Sequence, residues 1–227
     1  MNKYITILLL ALFCAVNTSV DAQGNAHNVT ARFLYVKKSP QTPSQLLLQG
    51  RRGIEELKIS TRRPSASYKL PKNGRIIIGT PSEDDKNPIT PLATGKAPAG
   101  ASKLLVLLVP KKSGEYQMLI LDERKFSGGS VCFLNQCGQP IGVILDGKKI
   151  NVPVKATKFH RPFASSEPKN VHIAFHAGTK EHGKVKMKLF AETVWNISPG
   201  RGEICVFYRD HIRKKAAFKV LSSQFPT

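Results

Sequence analysis

Short apolar runs of strand length, bounded by Gly, Pro or Asx residues, are the feature that most constrains how this chain folds. Several of them alternate between apolar and polar residues, as in 29–35. No segment shows the 3.6-residue apolar period of an amphipathic helix. The pattern therefore predicts an all-β protein built from many short strands.

Two Asx-Gly pairs lie between apolar runs, at Asn73-Gly74 and Asp146-Gly147. A type I′ turn needs positive φ at both central positions, which Asn, Asp and Gly tolerate best. We predict a β-hairpin at each pair. A third hairpin is expected between 103–109 and 116–121. The first of these two runs is continuously apolar, so we place it in the middle of a sheet.

The run 184–197 alternates more regularly than any other and predicts a half-buried strand. On this reading one face carries lysines, and the other face is buried. The residues expected on the buried face are Val185, Met187, Leu189, Ala191, Thr193, Trp195 and Ile197.

The first 22 residues read as a secretory signal peptide. Lys3 is followed by a 5–16 apolar run, which is too short to span a bilayer, and small residues precede a cleavage site before Gln23. Removing residues 1–22 from a chain of 227 leaves 205. An immunoglobulin-like sandwich takes about 100 residues, so this length suits two.

We accordingly predict two immunoglobulin-like antiparallel β-sandwich modules, 23–126 and 127–227. The small polar residues 127–130 are the expected linker. A single larger sandwich is the alternative. The first module contains 80–102, a Pro-rich stretch without apolar periodicity, which we expect to be a long loop.

The net charge of +20 comes from 35 Lys and Arg against 15 Asp and Glu. A basic protein outside the cytoplasm is attracted to anionic surfaces. If the second module brought its basic strands together, they would form a cationic stripe. The expected anion-binding residues are Lys148, Lys149, Lys155, Lys184, Lys186, Lys188, Arg213, Lys214 and Lys215. Alternatively, these lysines only protect edge strands from aggregation.

Three cysteines follow the predicted signal peptide: Cys132, Cys137 and Cys205. In an oxidising compartment two of them could form a disulfide, and the spacing leaves open which two. Buried, reduced cysteines acting as small apolar residues are the alternative.

The sequence lacks the motifs of common catalytic sites, including G-x-S-x-G, H-E-x-x-H, the P-loop and G-x-G-x-x-G. His172 and His176 are four residues apart on a predicted strand, about 13 Å, which is too far to share one metal ion. We therefore expect no catalytic residues, no metal and no cofactor.

Five segments resemble, in this order, a group of secreted β-rich bacterial proteins with no known activity. The segments are 31–36, 103–110, 116–122, 131–154 and 192–210. The shared features are a Phe-x-Asn strand, a hairpin with a Gly turn and a late Trp strand. The resemblance implies a two-part β-sandwich in the cell envelope and carries no functional residue with it.

These observations predict a non-catalytic secreted or periplasmic protein that binds an anionic envelope component. The expected partners are an anionic polysaccharide, a lipid surface or an envelope protein. We expect no nucleic acid, because aromatic residues for base stacking are few. The alternative is a chaperone-like or assembly module that pairs with another protein through a strand edge.

Overall fold

A computed structural model describes residues 28–111, 113–126, 128–161, 167–181, 183–210 and 215–224. The predicted signal peptide, 1–22, lies outside the described residues, as do Arg213 and Lys214. The described part contains no helix long and apolar enough to cross a membrane.

The protein is all-β, as predicted, with a short 3₁₀ turn at Glu123–Lys125. The first half contains strands β1 (Thr30–Tyr35), β2 (Leu47–Gly50), β3 (Gly53–Glu56), β4 (Tyr68–Lys69), β5 (Arg75–Pro81), β6 (Ile89–Lys96), β7 (Lys103–Pro110) and β8 (Tyr116–Asp122). The second half contains β9 (Val131–Asn135), β10 (Ile141–Leu145), β11 (Lys148–Val152), β12 (Thr157–His160), β13 (Lys169–Glu181), β14 (Lys184–Ile197), β15 (Arg201–Asp210) and β16 (Lys215–Gln224).

The strands form four sheets of four, two in each half of the chain. Inner sheet 1 has the order β4-β1-β7-β8, and outer sheet 1 has the order β3-β2-β5-β6. Inner sheet 2 is β12-β9-β15-β16, and outer sheet 2 is β11-β10-β13-β14. Adding eight to each strand number in the two sheets of the first half gives the strand orders of the two sheets of the second half. The chain is therefore an internal structural repeat of two β-sandwiches.

Each inner sheet contains one parallel pair, which the antiparallel prediction did not include. Strand β1 runs parallel to β7, and β9 runs parallel to β15. The first strand of each half thus lies inside its sheet, between a short antiparallel partner and the parallel one. The immunoglobulin-like connection pattern stays a prediction.

Three apolar cores hold the four sheets together. One lies between the two sheets of the first half and includes Phe33 of β1 and Val106 of β7. A second lies between the two sheets of the second half and includes Phe175 of β13. The third packs the inner sheets against each other, with Leu105 and Leu107 of β7 facing the second half. The sheets therefore stack in four layers, with the inner sheets in the centre.

This stacking explains the continuously apolar run that placed β7 in the middle of a sheet. Leu104 and Leu108 belong to the core of the first sandwich, whereas Leu105 and Leu107 belong to the core shared by the inner sheets. All four are almost fully buried. A strand buried on both faces has no reason to alternate with polar residues.

The 80–102 stretch is not a long loop, which corrects the prediction. Strand β6 lies within it and pairs antiparallel with β5. Its Pro91 lies opposite Gly79, where the register shifts next to Ile78. Proline has no N–H to donate, and irregularities of this kind on edge strands are where sheets tolerate it. A strand therefore forms here although the stretch is rich in proline.

The two Asx-Gly predictions have different outcomes. Asp146 and Gly147 have φ values of 49° and 79° and connect β10 to β11 as a tight hairpin, as predicted. Asn73-Gly74 is not a hairpin turn, because β4 pairs with β1 while β5 pairs with β2 and β6. Instead, Gly74 donates a hydrogen bond to the carbonyl of Pro71 and leads the chain from one sheet into the other.

The described part of the expected linker is tightly held. Gly129 donates its N–H to the carbonyls of Ser198 and Arg201, and Ser130 is buried. A Cβ at Gly128 would lie 1.3 Å from the carbonyl oxygen of Pro199, so only glycine fits there. The connection between β8 and β9 is therefore packed against the turn before β15 and does not act as a flexible spacer.

A β-bulge changes the predicted alternation along β14. Phe175 pairs with Ala191 and the next residue, His176, pairs with Leu189, so Phe190 is the extra residue. Because a bulge reverses the alternation, the prediction is wrong for Val185, Met187 and Leu189. These three side chains point away from the core and are exposed.

Candidate functional site

The two parallel pairs bring the carboxyl ends of four strands to the same end of the molecule. Strands β1, β7, β9 and β15 all finish there, and the residues that follow or end them line a common cleft. Many of those residues are basic. We call this region the basic end and define it by Lys37, Lys38, Lys111, Lys188, Arg209 and Lys215.

The first cleft opens between the two inner sheets and has a volume of about 660 Å³. Lys37, Lys38, Lys111 and Arg209 line its walls. Apolar residues from the edge of the core between the inner sheets, such as Val36, also contribute to its lining. The cleft thus forms where that core ends and the charged chain segments begin.

The second cleft lies inside the second sandwich, between β14 and β16, and has a volume of about 700 Å³. Lys188 and Phe190 line one side, and Lys215 lines the other. Cys137 and Arg209 also contribute to its wall. Basic side chains around an apolar lining suit a ligand that carries both negative charge and a carbon skeleton.

Arg209 and Asp210 line both clefts, so the end of β15 is the wall between them. Arg209 is exposed. Burial raises the pKa of the neighbouring Cys137, and the charge of Arg209 lowers that pKa by a smaller amount. A guanidinium at this position can reach an anion in either cleft, with five N–H donors in a planar fork.

Lys37, Lys38, Arg209 and Lys215 form no ion pair with any residue that the structure describes. Lys111 of the first cleft and Lys188 of the second do. Lys111 lies 3.0 Å from Glu115.

Glu181 pairs with two lysines of β14, Lys186 and Lys188. Hydrogen bonds from Lys188 and, to a smaller extent, Lys186 hold the pKa of Glu181 below its usual value. Lys188 therefore reaches the second cleft with part of its charge already compensated, in contrast to Arg209 and Lys215.

At the opposite end of the molecule, two arginines are paired with carboxylates. Arg124 lies 2.7 Å from Asp122, and Arg201 lies 2.8 Å from Glu203. The hydrogen bond from Arg124 lowers the pKa of Asp122. Pairing within the protein leaves such cations less available to an external anion. Lys69 and Lys103, which lie at this end beside the starts of β1 and β7, make no ion pair with any described residue either. The basic end is distinguished by the arrangement of its unpaired cations around two adjoining clefts.

The structure does not bring the predicted lysines together in one stripe. Lys188 and Lys215 face each other across the second cleft, and Lys184 and Lys186 continue along β14 beyond it. Lys149 lies on β11, at the opposite edge of outer sheet 2 from β14, about 14 Å away across three strand spacings.

Lys148 and Lys155 also lie away from β14. Lys148 is near the edge of inner sheet 2, where its charge adds to burial in lowering the pKa of His160. Lys155 lies in the turn between β11 and β12 with a positive φ of 59°. The predicted set thus combines residues from separate surfaces.

The sequence pattern did not predict four basic residues of the first cleft, Lys37, Lys38, Lys111 and Arg209. A useful signal would have been that each of these follows or ends a strand of a parallel pair. The sequence pattern, however, did not predict the parallel pairing.

All three described cysteines are free and buried, as in the second alternative weighed from the sequence. Cys132 points into the core between the inner sheets, whereas Cys137 and Cys205 belong to the core of the second sandwich. Burial raises the pKa of Cys132 to about 12 and that of Cys137 to about 11. Since the thiolate is the reactive form, these thiols are poor nucleophiles as they stand.

Among the described residues, no three His, Cys, Asp or Glu side chains are arranged to hold a metal ion. His172, one of the two histidines weighed as ligands, has its Nε2 2.8 Å from Oε1 of Glu192 on the neighbouring strand. His176 lines a groove on the outer face of outer sheet 2, beside Met187.

No protein-family model matches the chain, and a search of the curated proteins finds none similar to it.

Proposed function

We propose that this protein is a non-catalytic component of the cell envelope that binds an acidic polysaccharide at its basic end. The observation that carries the proposal is the group of unpaired cations, Lys37, Lys38, Arg209 and Lys215, around two adjoining clefts. The predicted signal peptide would direct such a protein to a secreted or periplasmic location, where acidic polysaccharides are found.

The shape of the site favours a polymer over a single small anion. Two clefts of about 660 and 700 Å³ share Arg209 as a wall, so one chain with repeated anionic groups can occupy both. Carboxylates or sulfates would then meet Lys37 and Lys38 on one side of Arg209 and Lys215 on the other. The apolar lining offers a surface against which sugar rings pack.

The shape also favours a polysaccharide over a lipid surface. A bilayer is flat on this scale and meets residues that protrude, whereas the cations here line the walls of concave clefts.

The buried Cys137 beside the second cleft has a raised pKa, which disfavours its use as a nucleophile. This supports binding without covalent chemistry at that thiol.

The test is the affinity of the chain from Gln23 onwards for polygalacturonate, measured by calorimetry over a salt series. The cleft variant is Lys37→Gln, Arg209→Gln and Lys215→Gln. The matched control, which loses the same charge elsewhere, is Lys148→Gln, Lys149→Gln and Lys155→Gln. We expect the cleft variant to bind about tenfold more weakly, since three ion contacts of about 0.5 kcal/mol each are lost.

The control should stay within about twofold of the unmodified chain, and raising the salt should weaken binding of both. Equal losses in the two variants would contradict the proposal, because binding would then depend on overall charge. Vesicles containing phosphatidylglycerol give the second contradicting outcome, if they bind the chain more tightly than polygalacturonate does.

A further inference from the structure

Strand β14 is a long edge strand with one open side. It has 14 residues and forms the edge of outer sheet 2, paired only with β13. In the part of the chain that the structure describes, the backbone of 184–195 makes no main-chain hydrogen bond to any segment other than β13. Such an edge presents a row of free N–H and C=O groups to an incoming strand.

The two faces of β14 differ sharply in its first half. Val185, Met187 and Leu189 point outward and are 53%, 42% and 54% exposed. The lysines at positions 184, 186 and 188 lie on the other face, because the bulge at Phe190 reverses the alternation.

The lysine face keeps a net positive charge. One carboxylate, that of Glu181, contacts both Lys186 and Lys188. Lys184 makes no ion pair with any residue that the structure describes. Two of the three positive charges on this face are therefore left over for an external partner.

The corresponding strand of the first half, β6, is also an edge strand, and it packs closely on the sheet behind it. Strand β6 corresponds to β14 in the repeat, and β8 corresponds to β16. Gly95 of β6 packs on β8 so closely that an added Cβ would lie 2.9 Å from Cδ1 of Ile120. In the second half, a cleft of about 700 Å³ opens between β14 and β16, beside the contact of Phe190 with Phe218.

A second copy of this chain does not fit the open edge. Antiparallel pairing of two β14 strands around Lys186 would place the three lysines of one copy opposite those of the other. Like charges directly opposite each other are destabilising in a sheet. A partner strand must instead carry acidic residues opposite the three lysines and apolar residues beside Val185, Met187 and Leu189.

We propose that β14 pairs through its open edge with an extended peptide segment of another protein in which acidic and apolar residues alternate. Main-chain hydrogen bonds from 184–189 supply the pairing. The two faces of β14 supply the selectivity, because acidic side chains meet the lysines and apolar ones extend the outer surface near His176 and Met187. Lys188 also lines the second cleft, whereas polysaccharide binding rests on Lys37, Arg209 and Lys215.

The test uses three seven-residue peptides at concentrations where they stay monomeric. The first alternates Glu and Val, the second alternates Lys and Val, and the third is the Glu–Val peptide with every backbone amide N-methylated. We expect the chain to bind the Glu–Val peptide at least tenfold more tightly than either of the others, because three cross-strand pairs or the main-chain bonds are lost.

The charge-reversed variant Lys184→Glu, Lys186→Glu and Lys188→Glu should invert the preference and bind the Lys–Val peptide. Its control is Lys148→Glu, Lys149→Glu and Lys155→Glu, which should keep the original order. Equal binding of the N-methylated peptide would overturn the proposal, since main-chain pairing would be absent. Loss of Glu–Val binding in the cleft variant defined above would also overturn it, by assigning the peptide to the clefts.

Discussion

At the scale of single residues, the best local probe of the second sandwich is His160. It ends β12, is partly buried, and has Nε2 without a hydrogen-bond partner among the described residues. Burial and, to a smaller extent, the charge of Lys148 lower the pKa of His160 below 6.5. The folded protein thus binds a proton here less readily than the unfolded chain does. This group contributes stability above about pH 6.5, which is lost as the pH falls through its folded pKa.

We predict that Lys148→Gln raises the pKa of His160 towards 6.5, as measured by NMR titration of the imidazole. Removing the neighbouring positive charge makes the protonated ring less unfavourable. Lys149→Gln is the matched control, because Lys149 lines the groove on the other side of the sheet. An unchanged titration in the Lys148 variant would mean that this lysine lies away from β12.

At the scale of elements, the bulge in β14 decides which side chains belong to the core. The ring centroid of Phe190 lies 6.1 Å from that of Phe175 and 6.4 Å from that of Phe218, so Phe190 joins an aromatic cluster that also includes Trp195. Leu189, its neighbour in sequence, is exposed. Regular alternation would give the reverse assignment.

We predict that Phe190→Ala lowers the free energy of unfolding by about 2 kcal/mol, because its partly buried ring contacts are lost. Leu189→Ala should change it by less than about 0.5 kcal/mol, as surface substitutions usually do. Urea denaturation of the two variants measures both values. A larger loss for Leu189→Ala would place the bulge elsewhere.

The turns and strands also show which elements a local sequence pattern can predict and which it cannot. Asp146-Gly147 was predictable because a hairpin turn of two residues depends on local φ values alone. Asn73-Gly74 has the same local preference, but the partners of β4 and β5 are chosen by distant strands, which no local pattern reports. Strand β6 was hidden because Pro91 is tolerated at a register shift that depends on its pairing with Gly79.

The candidate site was less predictable than the fold for a related reason. Lys188 and Lys215 were identified from a lysine-rich pattern, and the structure places them across one cleft. Lys37 and Arg209, more than half the chain apart in sequence, line the same cleft only because two parallel pairs finish at one end. Their relation arises from topology, which the sequence of any single strand does not contain.

At the scale of the whole molecule, the shared core between the inner sheets joins the two halves. Leu34 and Val36 of the first half and Leu134 and Val206 of the second belong to it. Separating the halves would expose this apolar surface to water, so neither sandwich is expected to unfold by itself.

We predict that Leu48→Ala, in the core of the first sandwich, lowers the stability reported by Trp195 in the second. The expected loss is about 3 kcal/mol for a fully buried leucine. Trp195 is the single tryptophan of the chain, so its fluorescence reports the second half alone, whereas far-UV circular dichroism reports both. The two denaturation curves should coincide in the original chain and in the variant.

Ile54→Ala, at a position that is 43% exposed, is the control and should leave both curves nearly unchanged. A fluorescence curve that does not move when Leu48 is replaced would show that the halves unfold independently.

The four-layer stack also determines where this architecture can acquire new properties. The faces of the two central sheets lie against other sheets, so substitutions there are limited by packing before any other effect. These sheets meet water mainly at their rims, where the loops after β1, β7 and β9 and the end of β15 come together. Loops at that rim can change in length and charge while the layers keep their register. Related chains with the same layers would therefore be expected to differ most at this rim.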